Sequence, residues 1–520
     1  MSIRNKNRVL NSARNIFTSA FMQTILGIVA FVERTFFLKY LSADYLGLNS
    51  LFANVLYVLS IAELGIGSAI AFALYKPLAE HDNERIAMYM AFFKKAYNII
   101  GSIILVVGVV LSPFIKNFAS DGAGIQDMSL YFLLYLFSVG ICYFFSYKQI
   151  LIEADQKKYI CQSILCAGSV LQAILQIVVL ILTHNYAIYL AVFFVCNVGK
   201  NIIISVIANR MYPVIKDRKH KDKKFNKDER KQISTNIRAM CYHKFGEIAI
   251  GSSDSILISY IVDLTSLGLY ANYQIIIEAL RSAMRVFYSS VLASIGNMCA
   301  TEEEEDIYYA FKTLNFTNYI LFSFVTVAMF CLIQPILSLW LGAKYLLSTR
   351  TVFLICMMFF LTGTRNMLLN FHDAYGLFWA DKYKRIMEAV VNLGVSFALG
   401  KLWGLDGIFL GTIASNLTGF WIEGIVVYKY AFHRKPGEYI RLYGLQAFVT
   451  VLVMCITMGF CSIVSANLLI VLIYRILICI VVPICIYLVI YRKNRDFIAM
   501  RKNVVEMAGM LFKKNHSSAN

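Results

Sequence analysis

The feature that most restricts the fold is a series of long apolar runs with few charged residues. A helix needs about 20 apolar residues to cross a bilayer, and the chain holds about fourteen such runs. Because the runs are continuous and do not alternate with polar residues, they exclude a β-barrel. Only 15% of the 520 residues are charged, against about 25% in soluble domains. The sequence predicts an all-α integral membrane protein with about 14 transmembrane helices.

The predicted helices form two groups of six, followed by two more. In chain order they cover 12–39, 46–75, 87–115, 128–153, 159–183, 186–209, 235–262, 266–300, 306–341, 349–376, 384–401, 405–430, 441–464 and 467–491. Residues 1–209 form the predicted N-lobe and 235–430 the C-lobe, with a basic cytoplasmic linker over 210–234. Residues 431–491 hold helices 13 and 14. The cytoplasmic tail, 492–520, has apolar residues at helical spacing, which is typical of an amphipathic interfacial helix.

The two groups of six helices repeat one another. Three landmarks recur about 220 residues further on: Leu46-Gly-Leu-Asn49 as Leu267-Gly-Leu-Tyr270, Pro113 as Pro335, and Ala154-Asp155 as Ala380-Asp381. Because each lobe has an even number of helices, we expect the lobes to lie parallel, related by a pseudo-two-fold axis along the membrane normal. A substrate is then expected between the lobes near the midplane.

The net charge of +18 is a signal of topology. Lysine and arginine are concentrated in alternate connections between the predicted helices, most densely in the linker, and are sparse in the others. This asymmetry follows the positive-inside rule and predicts that both termini are cytoplasmic. The charge therefore does not predict a nucleic-acid partner.

The chain shows no sequence motif for chemistry on a substrate. Its twelve cysteines are scattered through apolar segments without a C-x-x-C pair, which predicts neither a metal site nor a disulfide framework. No nucleotide motif is present, and the non-cytoplasmic connections are short. The sequence therefore predicts no enzyme, no catalytic residue and no cofactor.

One predicted helix, 266–300, places three charged residues on a single face. Helical spacing brings Glu278, Arg281 and Arg285 together. A charge at the bilayer centre costs about 2.5–3.5 kcal/mol on insertion scales, so we expect this face to look into a wet cavity. Two arginines against one glutamate leave a positive excess, which predicts an anionic substrate. The alternative is that Glu278 pairs with Arg281 and that another helix neutralises Arg285.

Other charged residues are also predicted within the membrane. Lys244, Glu247 and Asp254 share one helical face, and Arg365 lies near the middle of its predicted helix. Arg14 lies near a helix end, where a snorkelling side chain is the alternative. The predicted substrate-binding cations are Arg281, Arg285, Arg365, Lys244 and Arg14. The predicted ion-coupling or charge-balancing carboxylates are Asp254, Glu247, Glu63 and Glu278.

A family resemblance rests on two stretches of predicted helix 2. Tyr45-Leu-Gly-Leu-Asn-Ser-Leu51, followed by Ala62-Glu-Leu-Gly-Ile-Gly-Ser-Ala69, is similar to the helix-2 pattern of the Wzx-type polysaccharide flippases of bacteria. With two six-helix lobes, a cationic cleft and two extra helices, nearly the whole chain resembles the multidrug/oligosaccharidyl-lipid/polysaccharide exporter superfamily. The resemblance implies a multi-pass protein of the bacterial inner membrane.

The resemblance also implies a function. Such a flippase moves an undecaprenyl-diphosphate-linked oligosaccharide from the cytoplasmic to the outer leaflet, by alternating access around a cationic central cavity. Its implied partners are this lipid-linked substrate, membrane lipids and polysaccharide polymerase machinery. The alternatives are a multidrug/cation antiporter of the same superfamily, a membrane polysaccharide polymerase or glycosyltransferase, and a non-transporting scaffold. Coupling to Na⁺, H⁺ or the membrane potential alone is left open.

Asp254→Asn tests the coupling prediction. The neutral amide neither exchanges a proton nor balances a bound Na⁺, so we expect transport to respond less to an imposed Na⁺ or H⁺ gradient. The measurement is transport in proteoliposomes with each gradient applied in turn. An unchanged response to both gradients would remove Asp254 from this role.

Overall fold

The computed structural model describes residues 3–63, 66–119, 125–216, 251–377, 380–381, 383–464 and 467–502. Helices account for nearly all of this part of the chain. They are α1 (Ile3–Tyr40), α2 (Ala43–Leu59), α3 (Ile66–Glu80), α4 (Asn83–Leu111), α5 (Met128–Gly140), α6 (Tyr143–Ala154), α7 (Lys158–Thr183), α8 (Tyr186–Met211), α9 (Leu264–Thr301), α10 (Glu304–Leu341), α11 (Thr349–Ala374), α12 (Lys384–Trp403), α13 (Leu405–Tyr430), α14 (Gly437–Cys461) and α15 (Leu468–Tyr491). A shorter helical segment covers 251–262, before α9.

Eleven helical segments among the described residues are long and apolar enough to cross a membrane. They coincide with eleven of the fourteen predicted spans, so the all-α membrane fold is confirmed. The remaining three predicted spans differ from these. The span 46–75 is divided by a short 3₁₀ turn, Ser60–Glu63, and 235–262 lies mostly outside the described residues. The span 266–300 is one continuous helix, α9, that is not among the eleven. The count of fourteen stays a prediction.

Large apolar side chains cover the outer surfaces of these helices. Val106, Leu182 and Val489 are 63%, 74% and 70% exposed. A soluble monomer rarely leaves such extensive apolar surface in water. This pattern matches a protein whose surface meets lipid.

The chain divides into two compact units, residues 1–271 and 272–520. In the first unit α7 packs on both α1 and α8, and a core of α3, α4 and α6 is built around Phe93, Tyr97 and Leu151. In the second, α12 and α13 form the most extensive helix pair, with α11 against α13 and α15 against α10. The predicted linker 210–234 and the predicted tail helix lie mostly outside the described residues, so those domain assignments stay predictions.

Within the first unit, the starts of α2 and α9 cross at two glycines. A Cβ on Gly47 would lie 1.8 Å from the carbonyl oxygen of Leu264, and a Cβ on Gly268 would lie 2.1 Å from that of Ala43. The two contacts are reciprocal, as in a two-fold interface, where the same patch meets its copy. Both glycines belong to the repeated Leu-Gly-Leu landmarks, so the sequence repeat has a structural counterpart here.

Gly47→Ala and Gly268→Ala are expected to destabilise the fold. Each new methyl group would press on backbone, which cannot move away as a flexible side-chain end can, and overpacking of this kind costs about 1–3 kcal/mol. The measurement is the thermal midpoint of the purified protein in detergent. The matched control is Gly199→Ala in α8, where a Cβ meets nothing within 4 Å. Equal midpoints for all three variants would contradict the close crossing.

Candidate functional site

The charged face of α9 lies in the second unit and is partly open. Arg281 Nη1 donates to Glu278 Oε1 at 2.7 Å, and Arg285 Nη1 lies 3.9 Å from Glu278 Oε2. The side chains of Glu278, Arg281 and Arg285 are 53%, 39% and 63% exposed. One carboxylate is therefore shared between two guanidinium groups. The helix forms this face because the three residues fall on successive turns.

The expected pairing of Glu278 with Arg281 is present, and it leaves a surplus of charge. Half-exposed ion pairs contribute only about 0–1 kcal/mol, so Glu278 does not fix either arginine strongly. The three side chains together carry a net charge of +1. Guanidinium groups offer several N–H donors in a planar fork, which suits bidentate binding of phosphate. This face can therefore accept an additional anion.

Arg365 is in a different environment from the one expected. On α11 its side chain is 6% exposed, and its guanidinium donates to Glu423 of α13 and Glu388 of α12. The Nη2 to Glu423 Oε1 distance is 2.7 Å. Both carboxylates are almost fully buried. Arg365 was predicted to bind substrate, but two acidic side chains of its own unit occupy its guanidinium in the structure.

The ion pairs around Arg365 continue into a larger buried cluster. Lys384 Nζ lies 2.7 Å from Glu423 Oε1 and also donates to Asp381. His372 Nε2 lies 3.1 Å from Asp381 Oδ2, and Arg385 Nη1 lies 3.2 Å from Glu388 Oε2. His372 Nδ1 also lies 3.0 Å from Asp373 Oδ1. Four cationic side chains thus match four carboxylates, namely Arg365, Lys384, Arg385 and protonated His372 against Asp373, Asp381, Glu388 and Glu423. The cluster ties α11, α12 and α13 together and has little charge left for a ligand.

The charges of the cluster change the pKa of Asp381, which lies in the connection between α11 and α12. Burial alone would raise the pKa of Asp381, but hydrogen bonds from His372 and Lys384, and their charges, lower the pKa to about 2. Asp381 therefore stays ionised in the folded protein at any ordinary pH. This keeps the local pairing intact.

Gly419 on α13 makes room for the central ion pair. A Cβ at this position would lie 1.5 Å from Glu388 Oε1 and 2.3 Å from Arg365 Nη2. No other residue type permits so close an approach.

The first unit holds some of the remaining predicted residues. Glu63 ends the 3₁₀ turn after α2 and accepts a hydrogen bond from the hydroxyl of Tyr97 at 2.8 Å. Asp254 is half-buried in the helical segment 251–262. Lys244 and Glu247, and the side chain of Arg14, lie outside the part of the chain that the structure describes. Their proposed roles stay predictions.

Two lysines in apolar helices of the first unit were missed by the sequence reasoning. Lys200 on α8 is 9% exposed, and its Nζ donates to Ser169 Oγ at 3.2 Å and Gln172 Oε1 at 3.0 Å on α7. Lys148 on α6 donates to Ser205 at 2.6 Å. Both lysines lie inside predicted helices, 128–153 and 186–209. An intramembrane charge of this kind is the same signal that marked Arg365 in the sequence.

Three cysteines are also brought together, contrary to the expectation of scattered thiols. The sulfur atoms of Cys331, Cys461 and Cys479 all lie within 4.8 Å of one another, and all three residues are buried. They come from α10, α14 and α15, which is why no short motif marked them.

Solved structures similar to this chain include a lipid flippase and multidrug transporters. One, the lipid II flippase MurJ in an inward-closed conformation, matches with a TM-score of 0.66 and 13% identity, covering 93% of this chain and 99% of that one. An inward-facing multidrug resistance MATE family transporter of the MOP superfamily matches with a TM-score of 0.59 and 12% identity, covering 76% and 92%. A mutant of the Vibrio cholerae MATE transporter VcmN matches with a TM-score of 0.53 and 13% identity, covering 83% and 99%.

No protein-family model and no curated protein matches the chain. At identities of 12–13% the structural likeness concerns the fold. The chain therefore has the all-α, multi-pass fold shared by the lipid II flippase and the MATE transporters. Wzx-type specificity stays a prediction.

Arg365→Ala is expected to be strongly destabilising. It would remove the cation that the buried Glu388 and Glu423 share and leave them only Arg385 and Lys384. Breaking a buried pair in this way costs about 3–5 kcal/mol. The measurement is resistance of the detergent-purified protein to unfolding by SDS or heat. The matched control is Arg281→Ala, where an exposed pair is lost and a change of only about 0–1 kcal/mol is expected. An Arg365→Ala protein as stable as wild type that has lost transport would assign the guanidinium to the substrate instead.

Proposed function

We propose that the protein is a flippase for an undecaprenyl-diphosphate-linked oligosaccharide, which it moves from the cytoplasmic to the outer leaflet for surface polysaccharide assembly. The observation that carries the proposal is the partly exposed face of α9, where Arg281 and Arg285 share the single carboxylate of Glu278. This face has a net positive charge. By contrast, the buried cluster around Arg365 is neutralised by its own carboxylates.

The diphosphate is the part of the substrate that cannot cross the bilayer without a protein. An unpaired ion cannot leave water for hydrocarbon unaided, because its desolvation cost is too large. Arg281 and Arg285 would replace the lost water with charge-assisted hydrogen bonds, each guanidinium in bidentate geometry. Glu278, which fixes neither arginine strongly, would give way to the diphosphate. The polyprenyl chain would stay in lipid while the sugar travels in water.

The fold supports a cycle of alternating access, which we propose for this chain. The same fold occurs in the lipid II flippase MurJ and in a MATE family transporter. An inside-negative potential favours outward movement of an anion by about 2.3 kcal/mol per charge per 100 mV. The membrane potential would therefore assist export of the diphosphate.

The remaining predicted residues keep their proposed roles. Lys244 and Arg14 would add positive charge for the headgroup. Asp254, Glu247 and Glu63 would balance charge or bind a coupling ion. Arg365 we now propose as a positioning residue that holds α11, α12 and α13 in register. We further propose the bacterial inner membrane, cytoplasmic termini and an association with polysaccharide polymerase machinery.

A multidrug/cation antiporter is the second candidate, favoured by the MATE fold likeness. A cationic drug requires acidic or apolar contacts, and Glu63 and Asp254 are acidic side chains of the first unit. The positive surplus on α9 disfavours a cation there. Efflux of cationic dyes from proteoliposomes separates the two functions, since only the antiporter would show it.

Arg281→Ala and Arg285→Ala are expected to lower flipping at least about tenfold each, because a hydrogen bond to a charged group contributes about 1.5–3 kcal/mol. The measurement is the rate at which a fluorescent undecaprenyl-diphosphate oligosaccharide changes leaflet in proteoliposomes. The matched control is Arg350→Ala, which removes an arginine of the same unit whose side chain is 75% exposed and lies 3.5 Å from Asp406. Wild-type rates in both α9 variants would overturn the proposal.

A further inference from the structure

Three thiols from distant parts of the sequence meet inside the second unit. Cys331 lies on α10, Cys461 is the last residue of α14, and Cys479 is in the middle of α15. Their sulfur atoms lie within 4.8 Å of one another, and the residues are 0%, 0% and 2% exposed.

The spacing of the three sulfurs suits a common metal ion. A Zn²⁺–thiolate bond is about 2.3 Å long, so three thiolates around one ion are about 4 Å apart. The observed spacing needs only a small contraction to reach this geometry. Because each cysteine comes from a different helix, small helix movements suffice.

The surroundings of the three cysteines favour a soft metal ion. Phe330, Ile478 and Met458 pack against the three cysteines, so apolar side chains and a thioether contribute to their surroundings. Ca²⁺ and Mg²⁺ need oxygen ligands, whereas thiolates select Zn²⁺ and similar soft ions. The thioether of Met458 is a further soft donor next to the three thiols.

Arg475 on α15 supplies the charge that such a site needs. Its Nη1 donates to the carbonyl oxygen of Cys331 at 3.1 Å, which places the guanidinium beside the three cysteines. Its Nε is buried without a hydrogen-bond partner. Three thiolates carry −3, a divalent ion +2 and Arg475 +1, so the complete site would be neutral. Buried charges require such compensation.

We propose that Cys331, Cys461 and Cys479 form a binding site for one thiophilic divalent cation of the Zn²⁺ class. Binding displaces the three thiol protons, which leave to the solvent, and forms three metal–sulfur bonds without any change of oxidation state. The ion joins α10, α14 and α15 and stabilises the last two helices against the rest of the second unit. A bound metal stabilises the folded state in proportion to its affinity.

The test uses the full-length protein, purified in detergent. The buffer contains a disulfide-reducing agent that does not itself bind metal ions. Cd²⁺ is added as the probe, because its thiolate complexes absorb in the ultraviolet, and Zn²⁺ is then used to compete. We expect one ion per chain, a charge-transfer band for Cd²⁺, and a thermal midpoint several degrees higher with Zn²⁺ than with EDTA. The uptake should release protons, so affinity should fall as the pH is lowered.

Serine variants identify the site. Cys331→Ser, Cys461→Ser and Cys479→Ser are each expected to weaken Cd²⁺ binding at least tenfold and to abolish the midpoint shift. The matched control is Cys356→Ser, a fully buried cysteine of α11 in the same unit, which should bind like wild type. The readouts compare each variant with and without metal, so a general loss of stability does not imitate the result.

Three outcomes overturn the proposal. The first is no stoichiometric binding by wild-type protein whose thiols are shown to be reduced. The second is unchanged binding in the triple serine variant. The third is a disulfide between two of the three cysteines in protein taken directly from the membrane, which would remove two of the ligands.

Discussion

A charge taken out of water must be matched by another charge or by hydrogen bonds, and this constraint accounts for how the second unit is built. Arg365 is almost fully buried, and the structure surrounds it with Glu388 and Glu423 from two neighbouring helices. Gly419 lets those helices approach closely enough for the contact. Breaking such a pair is costly, whereas an intact pair adds little net stability. The cluster therefore serves to fix the relative positions of α11, α12 and α13.

Elsewhere the same constraint is met in different ways. In the first unit, Lys200 is held by the neutral oxygens of Ser169 and Gln172, and its stem lies against Gly168. On α9, two arginines share one carboxylate and stay partly exposed. Of these arrangements, only the α9 face combines exposure with surplus positive charge. This contrast distinguishes charged side chains that stabilise the fold from charged side chains that can bind a ligand.

The length of the apolar runs in the sequence was enough to predict most helices. Predicted helix 12, 405–430, coincides with α13, because a membrane span is set by the apolar run and its polar ends. The break between α5 and α6 at Gly140–Tyr143 was not predicted, since the apolar run continues across it. Arg365 was found from sequence as an intramembrane charge, but its partners were not. Glu388 and Glu423 lie 23 and 58 residues away, and only tertiary packing brings them to it. The three clustered cysteines were missed for the same reason.

We propose that Arg281 and Arg285 of α9 recognise a diphosphate. The most direct measurement is the affinity of the purified protein for undecaprenyl diphosphate compared with undecaprenyl monophosphate and neutral undecaprenol, for wild type and for the Arg281→Lys/Arg285→Lys variant. Our account predicts that the diphosphate binds most tightly, and that lysine substitution weakens this preference without removing it, because charge remains while the guanidinium fork is lost. Equal affinity for the three lipids, or full wild-type selectivity with lysines, would contradict it.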